Sequence, residues 1–215
     1  YGREDVAALL DEGKVPLGLD LETVEPVTWD LKKGNLLYLT DKEEQMTQFV
    51  KQIARSKQKV IVLAPAYNEL PEMEGVTILS TKEDYVAGIN KMEENIQLRL
   101  EQQKSQHEAT IVLYNQLELM NDLSMDLQSS LNYVLEKGAR AGYATVAMSG
   151  SQLNRKIGEV SKSIKLYKQA IVAMRITDQS VLNVINRPVR EEPLDSQVNY
   201  YVEDGFVRKV KVLMK

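Results

Sequence analysis

Compact apolar runs alternate along most of this chain with stretches whose apolar residues recur at helical spacing. Leu36-Leu37-Tyr38-Leu39, Val60-Ile61-Val62-Leu63, Val76-Thr77-Ile78-Leu79, Thr110-Ile111-Val112-Leu113, Tyr143 to Met148 and Ala170 to Met174 are short and almost wholly apolar, as strands buried on both faces are. Between them, Met46, Phe49, Val50 and Ile53 share one helix face, as do Val86, Ile89, Met92, Ile96 and Leu100. Leu123, Leu127, Leu131 and Val134 make a third such face, stopped by Gly138. Thr40 with Glu43, and Ser80 with Glu83, have capping-box spacing and predict where the first two helices begin. Upstream, Val6 to Leu10 form a short apolar stripe ended by Asp11-Glu12-Gly13, and Val15 to Leu19 and Pro26 to Leu31 read as extended. Downstream, Tyr200 to Val202 and Val207 to Met214 flank Asp204-Gly205, a strong hairpin signal.

Strands of this kind separated by amphipathic helices predict an α/β fold, a parallel sheet covered on both faces, with antiparallel pairing added at one end by the terminal hairpin. No internal repeat and no Pro-, Gly- or Ser-rich linker interrupts the pattern, so residues 1–215 read as a single domain.

Composition removes much chemistry. The absence of cysteine excludes disulfides, thiolate metal sites and cysteine nucleophiles, and His107 as the one histidine excludes a multi-histidine metal site. With 27 Lys+Arg against 31 Asp+Glu, the balance argues against a phosphate-backbone binder, so nucleic acid is not an expected partner. No apolar run approaches the roughly 20 residues that span a bilayer. The chain opens on Tyr1-Gly2 rather than methionine, which points to a soluble piece of a longer protein.

In open parallel sheets, ligands bind at the carboxyl ends of strands beside helix N-termini. The turn after Leu39 is the obvious place, and it reads Thr40-Asp41-Lys42-Glu43-Glu44-Gln45-Met46-Thr47. A phosphate loop needs glycines to let backbone N–H groups converge, a lysine for the β/γ oxygens and a Ser/Thr hydroxyl for magnesium. Here there is no glycine, and Asp41, Glu43 and Glu44 are expected in the first helical turn, where they favour the dipole and repel a triphosphate. After the strand ending at Leu113, Tyr114-Asn115 stand where an ATPase of this class places two acids to hold magnesium and polarise water. Glu118 nearby reads as a solvated helix-start acid.

These positions carry a family likeness. Val15 to Lys33 followed by Asn35-Leu36-Leu37-Tyr38-Leu39 resembles the segment leading into the Walker A loop of FtsK/SpoIIIE-type ATPases. Thr110 to Leu119 resembles that family's Walker B strand and its continuation. Gly138-Ala139-Arg140-Ala141-Gly142 is similar to its Gly-Arg-Ala-Ala-Gly segment, and Ala170 to Arg175 with Asp178 and Leu182 to its late strand and following helix. The departures fall in the chemistry. An ungapped match puts Met46 at the Walker A lysine and Thr47 at the Ser/Thr position, with Thr40, Glu43 and Gln45 for the glycines. Tyr114 and Asn115 replace Asp-Glu, and Ser149-Gly150-Ser151 stand for Thr-Gln-Arg. Scaffold kept and catalytic set lost is similar to the degenerate C-terminal domain of the family's type VII secretion branch in Firmicutes, whose tail Asn199 to Phe206 also resembles.

The resemblance implies a RecA-like, P-loop-NTPase-type fold without catalysis, with no ATP, magnesium or other metal bound. It implies a cytoplasmic domain of a cell-membrane protein, in a motor that forms homo-oligomers. The implied partners are the preceding ATPase domains of the same chain and secreted substrates of the small helical-hairpin type; peptides from the substrates' C-termini are expected to bind weakly, through an apolar groove. The alternative is a divergent ATPase domain that binds nucleotide through a non-standard loop; a DNA-translocating role is opposed by the acidic balance.

Other features have plainer readings. His107 lies in a polar stretch and reads as exposed. Arg155, Lys156, Lys162, Lys165 and Lys168 read as a solvated face, although a basic stretch can also touch an acidic partner. Arg140 and Arg175 read as surface residues, with inter-subunit contact the other possibility. Trp29 either packs or anchors a partner. Glu191, Glu192 and Asp195 around Pro193 read as a surface loop, and Met46, Met92 and Met120 as helix-face packing.

Overall fold

A computed structural model describes residues 13–56 and 58–212. The stripe Val6 to Leu10 and the end of the last predicted strand at Met214 lie outside the described residues. Among the described residues ten strands form one sheet: β1 (Lys14–Asp20), β2 (Pro26–Asp30), β3 (Leu36–Leu39), β4 (Val60–Leu63), β5 (Val76–Leu79), β6 (Ala109–Leu113), β7 (Tyr143–Ser149), β8 (Gln169–Val172), β9 (Val198–Glu203) and β10 (Phe206–Lys211). Their order is β2-β1-β10-β9-β8-β3-β7-β6-β4-β5. From β8 to β5 every pairing is parallel, and from β8 to β2 every pairing is antiparallel. The predicted α/β sheet with a hairpin at one end is therefore present, and β1 and β2 widen its antiparallel end.

Helices cover both faces, as continuous apolar strands require. On one face lie α2 (Lys82–Glu101), α3 (Gln116–Asp122), α4 (Met125–Lys137) and α5 (Glu159–Lys165), packed through Ile89, Met92, Ile96, Leu131, Val134 and Ile164. On the other, α1 (Glu43–Ala54) buries Met46, Phe49, Val50 and Ile53, and Tyr38 stacks on Phe49 with centroids 4.6 Å apart. Trp29 packs in this second core, and its Nε1 donates to the Gly34 carbonyl (2.9 Å), which decides for packing over partner anchoring.

Several boundaries move, each for a local reason. The second helix starts from Thr81 and Asp84, which form the reciprocal capping box one residue later than Ser80 and Glu83 would. Tyr85 takes the buried position in its first turn, while Val86 is half exposed. The predicted third helix is two, because Leu123 is extended and Ser124 caps α4 by accepting from Leu127 N. Strand β5 is an edge strand and only partly buried, since it pairs with β4 alone. Instead of the helix that the family resemblance implies after β8, a 3-10 turn at Ile176–Asp178 leads into an irregular segment as far as Gln197.

That segment is held by side chains. Glu191 accepts from Ile176 N and Thr177 N (2.9 Å), so it pins the segment and is no mere surface acid. Burial opposes its ionisation, but the Thr177 and Ile176 amides outweigh burial and hold its carboxyl below the usual range. A carboxyl depressed on folding stabilises above its unfolded pKa and loses that contribution as pH falls through the folded value. Glu191→Gln is expected to cost about 1–2 kcal/mol at neutral pH. Urea unfolding at a series of acidic pH values should show the gap to wild type closing.

Candidate functional site

The strand–turn–helix from β3 to α1 sits at the carboxyl end of the parallel sheet, flanked by the ends of β6 and β7. Thr40 still belongs to the sheet: it is fully buried and its N–H donates to the Ser149 carbonyl (2.9 Å). Its hydroxyl bonds Gln45 Oε1 and accepts from Lys42 N (3.1 Å). Thr40 therefore does not cap the helix with Glu43. The N-cap is Lys42, with no side-chain cap bond, and Glu43 opens the helix.

Only Glu43 and Glu44 occupy the first helical turn. Asp41 lies outside it and turns across to the loop after β7, where its carboxylate accepts from Ser151 N (2.8 Å) and Ser151 Oγ (2.8 Å). A Cβ on Gly150 would come within 2.6 Å of Asp41 Oδ1, so the absent side chain at 150 is what admits the carboxylate. Met46, matched to the lysine position, points into the core. Thr47, matched to the magnesium-binding hydroxyl, lies 2.8 Å from Tyr114 Oη and 3.2 Å from the Glu43 carbonyl.

Tyr114 is the residue that joins the two predicted segments. It leaves the end of β6, buries its ring against α1, and its hydroxyl also donates to Glu43 Oε1 (3.2 Å). Burial pushes its phenol up to about 12; the Thr47 bond opposes this and the Glu43 charge adds to it. Asn115 adopts a left-handed conformation (φ 46°) and starts α3 through its carbonyl, which accepts from Glu118 N and Leu119 N. Glu118 is exposed and accepts from Asn121.

Sequence reasoning missed a third bridge. Gln116 is fully buried, donates to Ser161 Oγ (3.3 Å) on α5 and accepts from Ser149 Oγ (3.1 Å) at the end of β7. The signal was present: a polar residue three positions after the end of a buried strand, at the first position of the next helix, with Ser161 beside Val160 on a helix face that packs inward. Bonds Asp41–Ser151, Tyr114–Thr47–Glu43 and Ser149–Gln116–Ser161 together tie α1, β6, β7 and α5 where a phosphate chain would run.

The remaining candidates lie apart. His107 is exposed, as read. Arg155, Lys156, Lys162 and Lys168 are exposed, and Lys165 donates to the carbonyls of Asn154 and Lys156. Arg175 makes a two-bond pair with Asp178, and Arg140 is exposed. Among the described residues no His/Cys/Asp/Glu group could hold a metal ion, and no helix is long and apolar enough to cross a membrane. A groove of about 410 Å³ opens between α1 and the antiparallel half of the sheet. Tyr38, Phe49, Ile171 and Tyr201 floor it, and Lys42, Glu44, Lys51 and Arg55 stand along it.

A parallel core with a strand–turn–helix at its carboxyl edge and an antiparallel flank has the architecture of a P-loop-type α/β ATPase domain. Within that class the chain is similar to the ATPase domains of EssC. It is 23% identical over 211 residues to the type VII secretion system protein EssC of Staphylococcus aureus (strain MRSA252), an alignment covering 94% of this chain and 14% of that protein. EssC ATPases 2 and 3 from Geobacillus thermodenitrificans have the same fold, with TM-score 0.82 at 18% identity over 94% of this chain and 41% of that one. The cytoplasmic domain of EssC gives 0.78 at 16% identity, covering 96% and 46%. Thermomonospora curvata EccC (ATPases 2 and 3), solved in complex with a signal sequence peptide, gives 0.73 at 16% identity, covering 96% and 42%. No family model matches the chain.

Proposed function

We propose that this chain is a non-catalytic ATPase-like module of a type VII secretion motor, acting on the cytoplasmic side by docking secreted substrates or neighbouring domains. The observation that carries the reading is Tyr114. It stands where the ATPase family that the sequence resembles has an acid, and its hydroxyl is bonded to Thr47 and Glu43 inside the turn that would cradle phosphate. Phosphoryl transfer depends on converging donors, a cation and bound magnesium. Here two carboxylates sit in the first turn of the helix and Met46 has turned into the core.

Docking is then the remaining use of the scaffold. The EccC structure solved with a signal sequence peptide supports it, and the groove beside α1 is the candidate place, with an aromatic floor and a wet rim suited to an apolar peptide segment. The substrates proposed are small helical-hairpin proteins, the docked element being their C-terminal segment.

One thermal-shift experiment tests both halves. A ligand present at a hundredfold its Kd adds about 2.7 kcal/mol of stability. Millimolar Mg-ATP is expected to leave the melting temperature unchanged, whereas substrate C-terminal peptides raise it, less so for Phe49→Ala. A rise with Mg-ATP that Mg-ADP reproduces would replace this reading with a divergent nucleotide-binding domain.

A further inference from the structure

Two large aliphatic side chains stand out from the ends of α5. Ile157, just before the helix, is 83% exposed, and Leu166, just after it, is 79% exposed. Their backbone is well held. Leu153 is fully buried and its carbonyl accepts from Lys156 N (3.1 Å), while Asn154 Nδ2 donates to Ser180 Oγ. Lys165 Nζ, from the last turn of α5, donates to the carbonyls of Asn154 (3.1 Å) and Lys156 (2.5 Å). The loop that carries Ile157 is thereby held alongside the helix whose end carries Leu166. Val160, Ile164 and Tyr167 pack on the core, which leaves Leu166 on the outer side.

The charge around these two residues is one-sided. From Ser151 to Gln169, Arg155, Lys156, Lys162, Lys165 and Lys168 face a single acid, Glu159, in a chain whose net charge is −4. Glu159 is engaged with α4, where it accepts from Ser129 Oγ (3.3 Å). Arg155, Lys156, Lys162 and Lys168 are exposed and form no ion pair among the described residues. The make-up of the patch separates the partners it could take. Tyr167 is the one aromatic of the stretch and packs inward, so no ring is offered for a nucleobase to stack on. Protein interfaces favour aromatic residues and arginine at their centre and disfavour lysine, yet three of these four bases are lysines. Lysine stems can lie along an acyl boundary while the ammonium stays at headgroup level, and aliphatic residues set among such bases are what an interfacial segment needs.

We propose that this surface seats on a bilayer containing anionic lipid. Ile157 and Leu166 enter the boundary between headgroups and acyl chains, and Arg155, Lys156, Lys162 and Lys168 lie among the headgroup anions. Each base brought to such a surface raises affinity about fivefold, and the acidic remainder of the chain disfavours other orientations. The contact stands independently of the docking groove and of whether nucleotide binds.

Co-sedimentation of the 215-residue chain with vesicles tests it, using phosphatidylcholine alone or mixed with phosphatidylglycerol. Wild type is expected to pellet with the mixed vesicles in low salt, to stay in solution with phosphatidylcholine alone, and to be released by high salt. Lys156→Gln with Lys162→Gln should weaken binding roughly 25-fold. Ile157→Ser with Leu166→Ser should weaken it about tenfold or more, which a purely electrostatic contact would not show. Lys82→Gln with Lys91→Gln makes the same change of net charge on α2 and should leave binding within about twofold of wild type. Circular dichroism checks that each variant is folded. Wild type left in solution with the mixed vesicles, equal binding to both kinds of vesicle, or α5-patch variants that bind like wild type would each overturn the proposal. Binding to single-stranded DNA or polyglutamate through Lys156 and Lys162, without binding to vesicles, would also overturn it and assign the patch to an acidic polymer.

Discussion

Gly142→Ala is expected to be the most damaging small substitution in the chain, costing about 3 kcal/mol or more of folding stability. The residue joins the 3-10 turn at Gly138–Ala141 to β7 with φ of +86°, a conformation that an L side chain adopts only under strain. A Cβ there would overlap the Gln106 carbonyl oxygen and come within 3.0 Å of Arg99 Nη2. Those atoms cannot easily yield. Arg99 is fixed by its bonds to the carbonyls of Ala141 (2.6 Å) and Gln106 (2.5 Å) and by its ion pair with Glu108 (3.0 Å). The Gly142 carbonyl in turn accepts from Glu108 N (2.8 Å). Urea unfolding should show a lower midpoint with an unchanged slope; a loss under 1 kcal/mol would mean that the Gln106 loop moves freely.

The second large effect is expected at Tyr114, where two substitutions separate packing from polar contact. Tyr114→Ala removes a ring that is 1% exposed and packed against α1, and should cost about 3–5 kcal/mol. Tyr114→Phe keeps the ring and removes the hydroxyl shared by Thr47 and Glu43, and should cost only about 1 kcal/mol, since Thr47 retains the Glu43 carbonyl. If Tyr114 pins the turn, neither variant acquires a thermal shift with Mg-ATP. Equal losses for the two variants in urea unfolding would show that the ring contributes little packing and would remove the basis for calling Tyr114 a structural pin.

The elements most legible in the sequence were those whose side-chain pattern is local. Strand β6 and the buried face of α1 could be read from adjacent apolar residues, because burial on two faces or one leaves a different period. Capping was less legible. Thr40 has the right spacing to Glu43, yet the sheet still claims its backbone and Gln45 claims its hydroxyl, a competition that no four-residue window contains. The hold on the irregular segment after β8 was invisible for a similar reason: Glu191 looks like a loop acid until the chain folds back and presents two free N–H groups to it.

The candidate site divides along the same line. What this turn lacks, any glycine and a lysine at position 46, was decided by the sequence alone, since no arrangement of Thr40 to Thr47 can supply a glycine and the turn's one lysine stands four positions earlier, at Lys42. What fills the turn was decided by tertiary structure. Tyr114 and Thr47 are 67 positions apart and Asp41 and Ser151 are 110 apart, and their bonds exist only because the parallel sheet brings the ends of β3, β6 and β7 together.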